Sequence, residues 1–149
     1  MTDQEKETND TSPATQQPAK TSSPVGPWGM EVKQFCMFMH LSVLAGFVIP
    51  GAGLVLPIVM WATNKDEYPE VQMHGLVIFN WMISATIYFF VCFILMFILI
   101  GIPMMLALGI TSLVFSILGG VKANEGTYWP YPMSIDFFGV KKKLEALAE

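Results

Sequence analysis

Two long stretches of this chain, Gln34 to Asn64 and Leu76 to Val121, contain no Asp, Glu, Lys or Arg. Helices built from them would be apolar on every side, with no charged face to turn toward water. Charged residues are 13% of the chain, about half the quarter or so that a soluble domain carries. With 149 residues there is room for one compact unit. The solvent that fits these stretches is lipid, and the fold class expected is all-α integral membrane.

Four apolar segments follow one another. Val32 to Ile49 is roughly 27 Å of helix, close to the roughly 30 Å of a hydrocarbon layer. Pro50-Gly51-Ala52-Gly53 then breaks it, by a missing donor and by backbone freedom. Leu54 to Thr63 gives only about 15 Å, with Pro57 as a further interruption, so whether this first hairpin spans fully or re-enters stays open. Val71 to Ile100 is ample for a tilted span. Gly101 and Pro103 make a corner, glycine suited to ending one helix and proline to starting the next, and Met104 to Val121 is long enough to return. The expectation is two hairpins, the second segment short and broken by Pro/Gly.

In that arrangement every charged group falls on one side: the N-terminal tail, Lys65-Asp66-Glu67, Lys122 and Lys141-Lys142-Lys143. Lysine concentrated on one side marks the cytoplasm. The chain is therefore expected in a bacterial inner membrane, multi-pass, with both termini cytoplasmic. Trp61, Trp129, His74 and the three lysines are expected at the interface. Trp81 and Tyr88 fall inside the third segment and require a packing explanation.

The domain boundaries follow composition. Residues 1–29 are rich in Thr, Ser, Gln, Pro and acid and bury too little to offset ordering entropy, so they read as a disordered tail. Residues 30–124 form the transmembrane helical domain. Residues 125–149 hold Tyr128-Trp129-Pro130-Tyr131-Pro132 and the triple lysine, and are expected to lie on the membrane surface, drawn to anionic lipid.

Polar groups inside the apolar segments are the informative exceptions. His40, Asn80 and Ser84 fall at similar depth, so the expectation is His40 hydrogen-bonded to Asn80 or Ser84. Such a contact serves as interhelical glue, or else as part of an ion or proton pathway. Small residues at four-residue spacing, Ser42 and Gly46 on the first helix and Ser112, Ser116 and Gly120 on the fourth, are expected at helix packing surfaces.

Catalysis has no support. The apolar segments contain no carboxylate, HExxH is absent and there is no Gly-rich phosphate loop. Cys36 and Cys92 stand singly, without metal-ligand spacing, and read as small buried hydrophobes. No metal and no cofactor is expected. With no Arg and no basic stripe, nucleic acid is excluded as a partner.

The run His40-Leu41-Ser42-Val43-Leu44-Ala45-Gly46-Phe47-Val48-Ile49-Pro50, with Lys65-Asp66-Glu67, His74-Gly75, Asn80 and Lys122-Ala123-Asn124-Glu125-Gly126, resembles a bacterial family of small membrane proteins with a domain of unknown function. That family is similar in turn to the twenty-kilodalton Tic component of the chloroplast inner-envelope import machinery. The likeness runs from about Lys33 to Phe138 and implies a four-helix arrangement. Family members commonly carry polar residues after the His-Gly pair, where this chain has Leu76, Val77 and Ile78. The functional expectation is a non-enzymatic packing or assembly component, with the lipid bilayer, itself or a larger membrane protein as partner. The Tic-like alternative is a channel or translocation element using the broken hairpin near residues 50–57.

Overall fold

A computed structural model describes residues 26–148 of the chain, so most of the N-terminal stretch read as a disordered tail lies outside the described residues. Among the described residues the fold is all-helical. α1 is Val32–Ser42, continued by a tight 3-10 stretch, Val43–Phe47; α2 is Ala52–Asn64; α3 is Pro69–Leu95, ending in the 3-10 turn Met96–Ile98; α4 is Gly101–Asn124; and α5 is Val140–Ala148. Residues at the end of the expected tail are structured: Pro27–Gly29 forms a 3-10 turn, and Trp28 meets Phe35 edge-on with ring centroids 5.2 Å apart.

Two helices, Pro69–Ile98 and Gly101–Asn124, are long and apolar enough to cross a membrane; Val32–Phe47 and Ala52–Asn64 are shorter. The two expected hairpins are thus unequal, one long and one short, with both helices of the short one below spanning length. The short hairpin stops part-way: Phe47, near its turn, lies beside Phe89, Met105 and Gly109 in the distal part of the long one. From Phe89 to Ile98, α3 and its terminal turn run on for about 13 Å. Pro57, expected to interrupt the second segment, lies buried inside an unbroken helix of 13 residues. It removes a single rung near the helix start, which the surrounding packing tolerates.

The turns are set by backbone freedom in places the sequence only partly marks. Gly51, at φ 91, starts α2 from the left-handed region. At the other corner the left-handed residue is Leu99, at φ 61, and not Gly101. Gly101 is instead the first residue of α4, where a Cβ would run into the backbone of Cys92, Leu95 and Met96. Pro69 opens α3 with its fixed φ, and Glu70 lies in the first turn, where the helix dipole favours a negative charge.

α1 packs most extensively on α4, and also touches α2 and α3. Gly120 lies at the first contact, where a Cβ would meet Met37 O and Leu41 at ordinary van der Waals distance, 3.4 Å. Gly46 meets Gly53 backbone to backbone, a Cβ on Gly46 lying 3.3 Å from Gly53 Cα. Ser116 is buried on α4, while Ser42 and Ser112 are half-buried, and Ser42 O–H donates to Met39 O at 2.7 Å. One core cluster gathers Phe35, Met39, Met60, Val71 and Ile78; a second gathers Val77, Trp81, Tyr131 and Val140. The second cluster contains residues from beyond α4, because the C-terminal segment folds back onto α3 and α4. Outside these clusters the distal half of the long hairpin is apolar and exposed, with Phe97 at 85% and Leu99 at 75%.

Candidate functional site

Four buried polar residues of the bundle, His40, His74, Asn80 and Ser84, fall into two separate hydrogen-bonded groups, and both hold the C-terminal segment. In the first, His40 Nε2 lies 3.0 Å from His74 Nδ1, and His40 Nδ1 lies 2.8 Å from the Tyr131 hydroxyl. All three side chains are 3% exposed or less. α1 supplies His40, the first third of α3 supplies His74, and Tyr131 enters between Pro130 and a turn begun by Pro132, in which Ser134 N–H donates to Tyr131 O at 3.0 Å. Room for the phenol comes from Gly119, where a Cβ would stand 2.7 Å from both His40 Nδ1 and Tyr131 Oη. Aromatic edges close the rest: Tyr131 packs against Phe115 at 5.3 Å and Trp81 at 5.8 Å between centroids. That packing explains why Trp81 sits inside an apolar segment. Tyr88, the other such residue, donates its O–H to Met133 O at 2.9 Å.

The second group is built on Asn80 and Ser84. Asn80 Oδ1 accepts from the N–H of Phe137 and of Phe138, at 3.0 and 3.2 Å, and its amide N–H donates to Asp136 Oδ1 at 2.9 Å. Ser84 Oγ accepts from Ile135 N–H at 2.8 Å and donates to Asn80 O at 2.7 Å. Asp136 in turn caps the start of α5, accepting from Val140 N–H and Lys141 N–H at 2.7 and 3.1 Å. Partial burial pushes the Asp136 carboxyl up, but those two N–H groups, the Asn80 amide and the Lys141 charge outweigh it and hold the group below the usual carboxylate range. Burial pushes the Tyr131 phenol well above its ordinary value.

The expected bond from His40 to Asn80 or Ser84 does not form. Each is consumed by a different part of the returning chain, and His40 finds His74 and Tyr131 instead. His74, expected as an interfacial hydrogen-bonder, is buried in this pair. Trp61 is half-buried, its ring edge-on to Phe79 at 4.9 Å and so close to Gly75 that no Cβ fits there, with its indole N–H unpartnered. Trp129 stacks near Phe115 and Tyr131, while Lys141, Lys142 and Lys143 stand exposed on α5. Tyr131 was expected in an aromatic stretch on the membrane surface and is buried in the bundle instead, and Asp136 was not singled out by sequence. The signals for these roles were a tyrosine between two prolines and a lone carboxylate in an apolar run.

Beside His74 a cleft of about 380 Å³ opens on the charged side, lined by Glu31, Lys33, Cys36, Glu70, His74 and Tyr128. The Tyr128 ring covers His74, centroids 4.9 Å apart. Among the described residues no group of three or more His, Cys, Asp or Glu side chains is placed to hold a metal ion. Cys36 and Cys92 are free and buried.

No curated protein and no solved structure matches the chain. One family model does, over residues 31–138. That span nearly coincides with Lys33 to Phe138, where the resemblance to a small bacterial membrane family was seen, and it reaches past α4 to the segment bonded to Asn80. The comparisons return no likeness to the Tic component. The matched family is described as the magnetosome magnetite crystal formation protein family, and since the match covers well over half of the chain, the chain belongs to the MamF/MmsF family.

Proposed function

We propose that this chain is a non-enzymatic component of the magnetosome membrane that supports magnetite crystal formation by packing against itself or a larger membrane partner. The carrying observation is how the polar residues are used. His40, His74 and Tyr131 form one hydrogen-bonded set and Asn80, Ser84 and Asp136 a second, and both hold the C-terminal segment, while the uncharged long hairpin presents its apolar surface outward. A surface of that kind suits lipid and helix partners.

In this reading the long hairpin crosses the bilayer, the short one re-enters without crossing, and both termini lie on the cytoplasmic side with the lysines. About 30 Å of hydrocarbon measured up from Leu99 reaches the level of Asn80. The docked segment then lies at the bilayer surface, its exposed Phe137 and Phe138 toward acyl chains and Lys141, Lys142 and Lys143 toward anionic headgroups. The test is removal of the chain from a magnetite-forming cell, with crystal dimensions read by electron microscopy. Altered crystals, restored by the wild-type chain, support the proposal; unchanged crystals reject it.

A second reading, a conducting or translocating element of the Tic-like kind, is favoured by one feature. The short hairpin turns back before the tip of the long one, its last residues before the turn lying against the distal part of that hairpin, where freed backbone needs protein or water as partner. Thiol labelling of cysteines placed at Val48 and Ala52 decides it, since protection from both sides removes the reading.

A further inference from the structure

A neutral imidazole carries one proton on two ring nitrogens. The chain Tyr131–His40–His74 therefore satisfies both of its hydrogen bonds in only two ways when neutral. In the first, Tyr131 O–H donates to His40 Nδ1, His40 Nε2–H donates to His74 Nδ1, and His74 keeps its other N–H. In the second, every donor becomes an acceptor: His74 Nδ1–H donates to His40 Nε2, and His40 Nδ1–H donates to Tyr131 Oη. His74 Nε2 is then bare, and the Tyr131 hydroxyl hydrogen needs another acceptor. The structure provides one. Ser116 on α4 is 0% exposed, and its Oγ stands near enough to the Tyr131 phenol to oppose the upward push of burial, yet it completes no hydrogen bond of good geometry. At the opposite end, His74 is 3% exposed, lines the cleft, and makes no hydrogen bond through Nε2.

We propose that His74, His40 and Tyr131 form a two-state wire, in which one proton taken up from the cleft by the histidine pair turns the Tyr131 hydroxyl from His40 onto Ser116. The geometry forces this outcome wherever the charge rests. An imidazolium at His74 must donate through Nδ1 to His40 Nε2, which puts the His40 proton on Nδ1. An imidazolium at His40 carries a proton on Nδ1 directly. In both cases His40 Nδ1–H faces Tyr131 Oη, and the hydroxyl hydrogen turns away. The balance is one proton gained from cleft water and none released. A second proton would set N–H against N–H across 3.0 Å, so the pair takes up one.

The groups facing the pair are Glu31, Lys33 and Cys36 on the α1 side, Glu70 on α3, and Tyr128 and Tyr131 from the returning segment. α2 carries no titratable side chain, and its Trp61 lies against Gly75. Lys122 on α4 is held by Glu125 at 2.8 Å. Burial of both rings is the main cost of the added charge, His40 and His74 being 1% and 3% exposed. The two carboxylates at the mouth of the cleft act in its favour and Lys33 against it. The wire reports the proton condition of the cleft to the residue that anchors the C-terminal segment.

The test is a pH titration of the full-length protein in lipid nanodiscs with 15N-labelled imidazoles, whose shifts show which nitrogen of His40 carries the proton. The expected result is that His40 becomes protonated at Nδ1 as the pair takes up its proton. In Ser116→Ala the same change should require about tenfold more acid, since the hydroxyl then loses its acceptor. Ser116→Thr keeps that acceptor and should titrate like the wild type. A His40 Nδ1 that stays unprotonated throughout, which the wild type alone can reveal, overturns the proposal. So does Ser116→Ala titrating together with the wild type.

Discussion

His40 Nδ1 and the Tyr131 hydroxyl lie 2.8 Å apart although 91 positions separate them in the chain. This bond ties the segment after α4 to the first helix, through a gap in α4 that exists because residue 119 is glycine. Tyr131→Phe should therefore destabilise the fold by about 1–3 kcal/mol, the cost of leaving one buried polar partner unsatisfied. Denaturant unfolding in detergent measures it, and an unchanged midpoint would mean that the bond contributes nothing. His40→Leu should cost more, because it orphans Tyr131 and His74 together.

Gly119→Ala attacks the same joint sterically. The added methyl would stand within 3 Å of His40 Nδ1 and of Tyr131, so the phenol must leave its pocket. The expected outcome is faster protease cleavage between Gly126 and Gly139 while the helical circular dichroism is retained. Gly51, which has open space around its Cβ position, is a control for glycine loss without a clash. At φ 91 it pays for backbone strain instead.

Gly53→Ala tests the short hairpin. A Cβ there would collide with Val43 O and with the backbone of Gly46, none of which yields as a flexible side chain would. About 1–3 kcal/mol of destabilisation is expected. Gly46→Ala, with its nearest contact at 3.3 Å, should cost less, and the reverse order would show that this glycine contact is not the tight one.

Asp136 gives the C-terminal dock a pH dependence with a defined sign. Its carboxyl is held below the usual carboxylate range in the folded chain, so its contribution is present above its unfolded value, about 3.9. That contribution is lost as pH falls through the lower folded value. Protection of α5 from protease should drop in that acid window, and Asp136→Asn should be released already at neutral pH, with no further step on acidification. An identical pH profile for the two chains would remove Asp136 as the cap.

Topology is tested by side-specific labelling of single cysteines on a background lacking Cys36 and Cys92. A cysteine at Leu99 should react from the side opposite both termini, and one at Lys65 from the same side as the termini. Reaction of both from one side would show that the long hairpin does not cross.

The residue pattern alone was enough for the solvent and the helices. Uninterrupted loss of charge from Leu76 to Val121 leaves a helix no aqueous face, and that holds whatever the helix packs against. The break at Pro50-Gly51 was equally legible, because local backbone chemistry dictates it. Partners were not. Asn80 and His40 share a depth by counting residues, yet depth does not fix azimuth, and the faces that meet depend on which helices become neighbours. Leu99 took the left-handed turn that Gly101 was expected to fill, since close packing of Gly101 against Cys92 outweighed its conformational freedom. Above all, only the folded chain decided that residues 128–140 return to the bundle. Buried polar groups must find hydrogen bonds, and the returning segment carried the free N–H groups, the carboxylate and the phenol that Asn80, Ser84 and His40 lacked.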